Sequence, residues 1–257
     1  IIIDYYSSAY TDATRSSEGE AMNIRDRFTS GTNVHVVGGY KSYDKEDSSE
    51  TKVIVHVNRK LGGLKNSDNT RCALRTGTGW EGDTEMIIDV GNEGAIYGAG
   101  GNGGRGGDTD AAGDDGQNGT SGLGISLAGV EVNVASSGKI RAGFGGGGGG
   151  GSGRQSDKNA DRRAGGGGGG GGQGFPAGSG GVEGSGNGGE AGPGTAGSLN
   201  EHGEGGARAQ NASQAYGGDG GEGGMFGNEA DDGVASQYGK GEGGGDGAAI
   251  RVSGNGS

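Results

Sequence analysis

The residues able to do chemistry are few and poorly placed for it. His35 and His56 each fall on the polar side of a valine-alternating stretch, which reads as a sheet-surface histidine rather than a metal ligand. His202 stands alone between Glu201 and Gly203, and Cys72 is the single cysteine, so the chain has neither a disulfide framework nor a CxxC metal signal. The run from Gly233 to Lys240 has one residue too many for a phosphate loop and lacks the Ser or Thr after the lysine. Gly103–Asp108 begins like a calcium nonapeptide, but Asp110 occupies the position that needs a large apolar residue and no second copy follows. Chance GxGxxG matches carry no weight in so glycine-rich a chain. The Asp114-Asp115 pair reads as a solvated turn in an acidic loop over 108–115. These residues predict no enzyme, no cofactor and no metal.

What remains suits recognition. Residues 154–163, RQSDKNADRR, are locally basic: Arg154, Lys158, Arg162 and Arg163 stand against Asp157 and Asp161 in a chain of net charge −12. That overall charge argues against a nucleic-acid partner and favours solubility. Tyr216, Met225, Phe226 and Tyr238 are large side chains in glycine surroundings. Such anchors serve binding surfaces, but they also suit plugging the end of a glycine-built element or packing on a neighbouring subunit. Phe144 and Phe175 read as structural, with a turn at Phe175-Pro176.

The elements that must position these residues are set by glycine. Stepping by three from Gly98, positions 101, 104, 107, 113, 116, 119 and 122 are all Gly, with Asp110 the exception. From Gly188 to Ala248 the same step gives 12 Gly and 6 Ala in 21 positions, where composition alone would place about six Gly. A three-residue period fits a left-handed threefold helix of the polyproline II type, rising ~3.1 Å per residue without internal hydrogen bonds. With only 2 Pro to stiffen it, each such strand must find partners for its sideways N–H and C=O groups on neighbouring strands. Glycine at every third place lets the backbones approach. The expectation is a polyglycine II bundle over 98–248, interrupted by base strands at 125–142; the tract 165–174 would span ~31 Å. The competing expectation is a disordered low-complexity chain, and ordering 72 glycines is costly.

Residues 1–97 hold most of the apolar residues and predict a small α+β base. Ser17 and Glu20 form a capping-box pattern ahead of Ala21, Ile24 and Phe28, which predicts a helix near 18–29. Asn33–Val37 and Thr51–Asn58 alternate as strands, joined by a charged loop over 41–50, and 1–14 opens with an apolar stretch that suits a strand. An internal repeat follows at an offset of 44: Ile88, Val90, Gly94 and Ile96 match Val132, Val134, Gly138 and Ile140. A partial third copy at Ile250 and Val252 makes 249–257 a closing strand. Repeated strands of like phase predict a parallel, solenoid-like base from which the glycine strands project. The overall class is thus mainly β and irregular. No apolar run approaches the ~20 residues of a membrane span. The start on Ile1, with no basic segment ahead of an apolar one, suggests a piece of something longer.

The run Thr76–Gly107, continued by Gly124–Gly151, resembles the glycine-rich receptor-binding domain of tailed bacteriophages. That domain occurs on the tip adhesin of T-even-type long tail fibres and on lambda-like central tail-tip fibres. Asn23–Gly39 is similar to the helix and first strand of the same modules. The resemblance runs from about residue 20 to the C-terminus. The tryptophan-rich attachment segment of T-even adhesins is not in the sequence, which favours the tail-tip variety or a fragment. The resemblance implies a virion protein at a distal tail or fibre tip, joined to the rest of the tail, singly or as a homotrimer. Loops at the far end of its glycine bundle would grip a bacterial surface protein or glycan. The candidate contacts are Arg154, Lys158, Asp161, Arg162, Arg163, Asp114, Asp115, Tyr216, Met225, Phe226 and Tyr238. The alternative is a structural or surface-coat glycine-rich protein of the PGRS or ice-binding kind, with no specific receptor.

Overall fold

The computed structural model describes residues 2–4, 22–23, 33–36, 39–42, 52–63, 65, 68–77, 85–157, 160–187, 190–210 and 215–252. The described residues are β-rich and contain no helix. The apolar half is built from β1 (Ile2–Asp4), β2 (Met22–Asn23), β3 (Asn33–Val36), β4 (Gly39–Ser42), β5 (Lys52–Val57), β6 (Lys60–Gly62) and β7 (Cys72–Arg75). It continues with β8 (Glu85–Val90), β9 (Ala95–Tyr97), β10 (Ser121–Ile125), β11 (Glu131–Val134), β12 (Lys139–Arg141) and, at the end of the chain, β15 (Ile250–Val252).

Parallel pairing stacks β5, β8 and β11 on one face, β6, β9 and β12 on a second, and β2, β7, β10 and β15 on a third. The 44-residue repeat becomes register directly: Val132 lies on Ile88, Val134 on Val90 and Ile140 on Ile96. Alternation decides which side is inside. Val53, Val55, Val57, Met86, Ile88 and Val90 are fully buried and meet Leu61, Ile96, Leu74 and Leu123 from the other two faces in one core. Ile54 and His56 face outward, as the pleat requires. Two expectations change here. The third repeat copy stacks on β10, not β11, with Ile250 on Leu123 and Val252 on Ile125. Of the helix expected at 18–29, only Met22–Asn23 lie within the described residues; they are strand β2, paired with Leu74 and Arg75, where a sheet partner outweighs local helical spacing.

Beyond this base the glycine tracts carry no strand ladder among themselves. Their backbones bond across tracts instead, at intervals of three residues. Gly104 N–H donates to Gly147 O at 2.9 Å, Gly147 to Gly170 at 2.8 Å and Gly170 to Gly221 at 2.8 Å. Three residues further along, Gly107 donates to Gly150 at 2.8 Å, Gly150 to Gly167 at 2.9 Å and Gly167 to Gly218 at 2.9 Å. The approach is too close for a side chain: a Cβ on Gly169 would sit 2.0 Å from Gly147 O. Ala191, Ala209 and Ala215, which replace glycine in the series, form a small buried cluster with Ala164.

These bonds also order the turns. Gly101, Phe144, Gln173 and Gly224 are bonded in succession at one level, next to the base. Gly107, Gly150, Gly167 and Gly218 are bonded in succession at another, towards the far end. Successive tracts therefore reverse direction, and the turns sort to two ends. Phe175, at the base end, packs edge-on against Tyr97 of β9, ring centroids 6.3 Å apart, which bears out its structural reading.

Candidate functional site

The far end gathers the turn at 108–111, the strands at 153–157 and 160–164, the stretch 185–187, the reversal bridged by Gln210 and Tyr216, and the turn at 236–238. The two strands, β13 (Gly153–Asp157) and β14 (Ala160–Ala164), pair antiparallel as the arms of a hairpin. Nothing in RQSDKNADRR alternates by hydropathy to announce strands. The hairpin forms because it extends two tracts already bonded side by side, Gly150 to Gly167. Its register pairs Arg154 with Arg163, Gln155 with Arg162 and Ser156 with Asp161. Strand alternation then puts positions 154, 161 and 163 on one face and 155 and 162 on the other.

The first face is an ion-pair cluster. Arg154 Nε lies 2.8 Å from Asp161 Oδ1, and Arg154 Nη2 lies 3.2 Å from Oδ2. Arg163 reaches the same carboxylate through Nε at 3.1 Å and Nη2 at 2.8 Å. From the neighbouring turn Asp110 Oδ2 meets Arg163 Nη1 at 3.2 Å and Arg154 Nη1 at 3.6 Å. Arg163, then Arg154, holds the Asp161 carboxyl below the usual carboxylate range. Hydrogen bonds to Asp161 and then to Tyr238 favour the charged Arg154 guanidinium in turn.

Both hairpin edges are closed by side-chain amides. Asn187 Oδ1 accepts Arg163 N–H at 2.8 Å while its Nδ2 donates to Asp161 O at 3.0 Å, as a neighbouring strand would. On the other edge Gln237 Oε1 accepts Arg154 N–H at 3.0 Å. Beside the cluster, Asp108 accepts Ser185 N–H at 2.8 Å and pairs with Arg105 at 2.6 Å; the Ser185 amide is the main reason its carboxyl titrates low.

The sequence candidates divide between locations. Arg154, Asp161, Arg162, Arg163, Tyr216 and Tyr238 share the far end. Tyr216 is 40% exposed, with the Arg208 guanidinium 5.7 Å from its ring centroid. Lys158 lies outside the described residues. Asp114 and Asp115 are exposed but not in a turn: Asp114 N–H donates to Arg105 O at 2.8 Å within the returning tract, and Asp115 Oδ1 accepts Glu242 N–H at 2.8 Å. The turn itself closes earlier, at Ala111 N–H to Asp108 O, 2.9 Å. Met225 and Phe226 are at the opposite end, in a tight reversal closed by paired Met225–Asn228 backbone bonds at 2.9 Å, with Gly227 at φ 92°. Phe226 is 81% exposed there, and its N–H donates to Gln173 Oε1 at 3.0 Å. Sequence reasoning missed Asn187, Gln237 and Asp110 as members of the site. Only Asp110 carried a signal, as the break in the glycine period.

Among the described residues no His, Cys, Asp and Glu group could hold a metal ion. No helix of the described residues is long and apolar enough to cross a membrane.

The sequence profile of the phage tail fibre adhesin Gp38 family matches residues 20–257. The chain belongs to that family. A bacteriophage tail fibre adhesin is a virion component, and the family resemblance carried by Thr76–Gly107 is thereby borne out. No curated protein matches the chain. Among solved structures it is similar to the gp37-gp38 adhesin tip complex of the bacteriophage S16 long tail fiber, at 15% identity and a TM-score of 0.37, over 100% of this chain and 79% of that one. The family assignment rests on the profile match.

Proposed function

We propose that this adhesin binds a bacterial surface protein or glycan through the turns at the far end of its glycine tracts, acting as a binding protein and not as an enzyme. The glycine tracts form a polyglycine II bundle in this reading, supported by cross-tract backbone bonds that recur every three residues. The observation that carries the reading is the sorting of turns. The hairpin and four other chain reversals meet at the end away from the apolar base, with Tyr216 and Tyr238 beside them. A rigid mount that loses no conformational freedom on contact is what tight binding by loops requires. The base end, on the side away from these turns, then faces the rest of the tail fibre.

The test is replacement of residues 153–164 by the equivalent stretch of an adhesin with another host. Adsorption should move to the other host while the melting temperature holds, and purified wild-type protein should compete with phage for cells. Unchanged adsorption after the replacement, with no competition, would end the proposal.

A further inference from the structure

The cluster under the hairpin raises the question of what its arginines do. Asp110 is the only break in the first glycine series, and it is the only described non-glycine residue with positive φ, at 59°. Glycine would adopt that left-handed backbone without cost, whereas aspartate tolerates it with some strain. Its Oδ1 is buried without a hydrogen-bond partner among the described residues, a second cost. Against these stands one gain, Oδ2 between the Arg163 and Arg154 guanidinium groups.

We infer that Asp110, Arg154, Asp161 and Arg163 are positioning residues that fix the angle of the hairpin on the bundle, so that it meets the receptor in one pose. This rests on the far end being the receptor-binding tip. The geometry favours it because one carboxylate, Asp161, takes both guanidinium forks on one face while Asn187 and Gln237 hold the two edges. The hairpin is thereby tied to the turns at 108–111, 185–187 and 236–238. A prong held in its binding pose gains affinity by avoiding the loss of freedom on contact.

The variant Asp110→Gly separates this role from a structural one. It removes the strain and the orphaned oxygen, so the melting temperature should hold or rise. Amide hydrogen exchange across 153–157 and 160–164 should quicken, and phage carrying the substitution should adsorb about tenfold more slowly. Asp161→Asn should act in the same direction. If Asp110→Gly leaves exchange and adsorption untouched, or slows adsorption without loosening the hairpin, the inference is overturned. Replacing 153–164 as a block tells the two readings apart. A shift in host with an inert Asp110→Gly sinks the pin alone, whereas no shift sinks the tip.

Discussion

The base and the glycine tracts are two answers to one problem. In the base, stacked parallel strands bury Val53, Ile88, Leu123 and Ile96 completely, and removal of apolar area from water stabilises the fold. In the tracts almost nothing apolar is available. Each residue there contributes backbone bonds of ~1 kcal/mol net, and they are reached because no Cβ intervenes. The difference lies in what each region tolerates. The base is damaged by removing atoms, the tracts by adding them.

The widest contrast comes from adding one methyl group. Gly169→Ala places a Cβ 2.0 Å from Gly147 O, a backbone atom that cannot swing aside. The expected loss is more than about 4 kcal/mol, read as collapse of the soluble yield or of the urea midpoint. A stable Gly169→Ala protein would break the comparison. The counterpart is Ile88→Ala, which opens a cavity in the base and should cost roughly 2–5 kcal/mol in the same unfolding assay.

Two smaller effects sharpen it. Asp246 accepts Gly145 N–H at 2.9 Å at the base end, and burial raises its carboxyl above the ordinary carboxylate range, with Glu229 adding to the rise. A raised folded pKa means the folded protein holds this proton more tightly than the unfolded chain. That stabilisation is full below the unfolded value and is lost as pH rises through the folded one. Asp246→Asn keeps the acceptor and removes the charge, so it should unfold no more easily than wild type at neutral pH and should lack this group's share of any gain on acidification. Asp108, Asp161 and Asp232 work in the opposite sense, since their hydrogen bonds to Ser185, Arg163 and Lys240 lower them. A variant that is less stable than wild type at neutral pH would contradict the burial argument. Smallest of all is Gly239→Ala, whose Cβ meets nothing nearer than Ala112 Cβ at 3.6 Å. It should be neutral or stabilising by about 0.4–1 kcal/mol, which thermal melting can check against Gly169→Ala.

Much of this was legible in the chain. Valine alternation at 53, 55 and 57 predicted the buried face of β5, and the 44-residue offset predicted the register of β11 on β8 and of β12 on β9. The glycine period marked where backbones pack on backbones. The helix pattern at 18–29 misled at Met22 and Asn23, because a capping box reports local preference and not the strand waiting at β7. Of the candidate site, the stretch 154–163 was legible as a break in glycine spacing, but its hairpin was not.

Taken alone, the sequence determined the repeating local features: which strand faces are apolar, which strands share a phase, and where a side chain would forbid close approach. Those follow from periods of two, three and forty-four residues, which any reader of the chain can count. The tertiary structure alone decided that Phe226 and Tyr216 lie at opposite ends, that Asp110 meets Arg163 and Arg154, and that Asn187 completes the edge of β14. Each depends on how many times the chain has reversed and on which tract lies beside which, a sum of long-range bonds between identical glycines that no local pattern can distinguish.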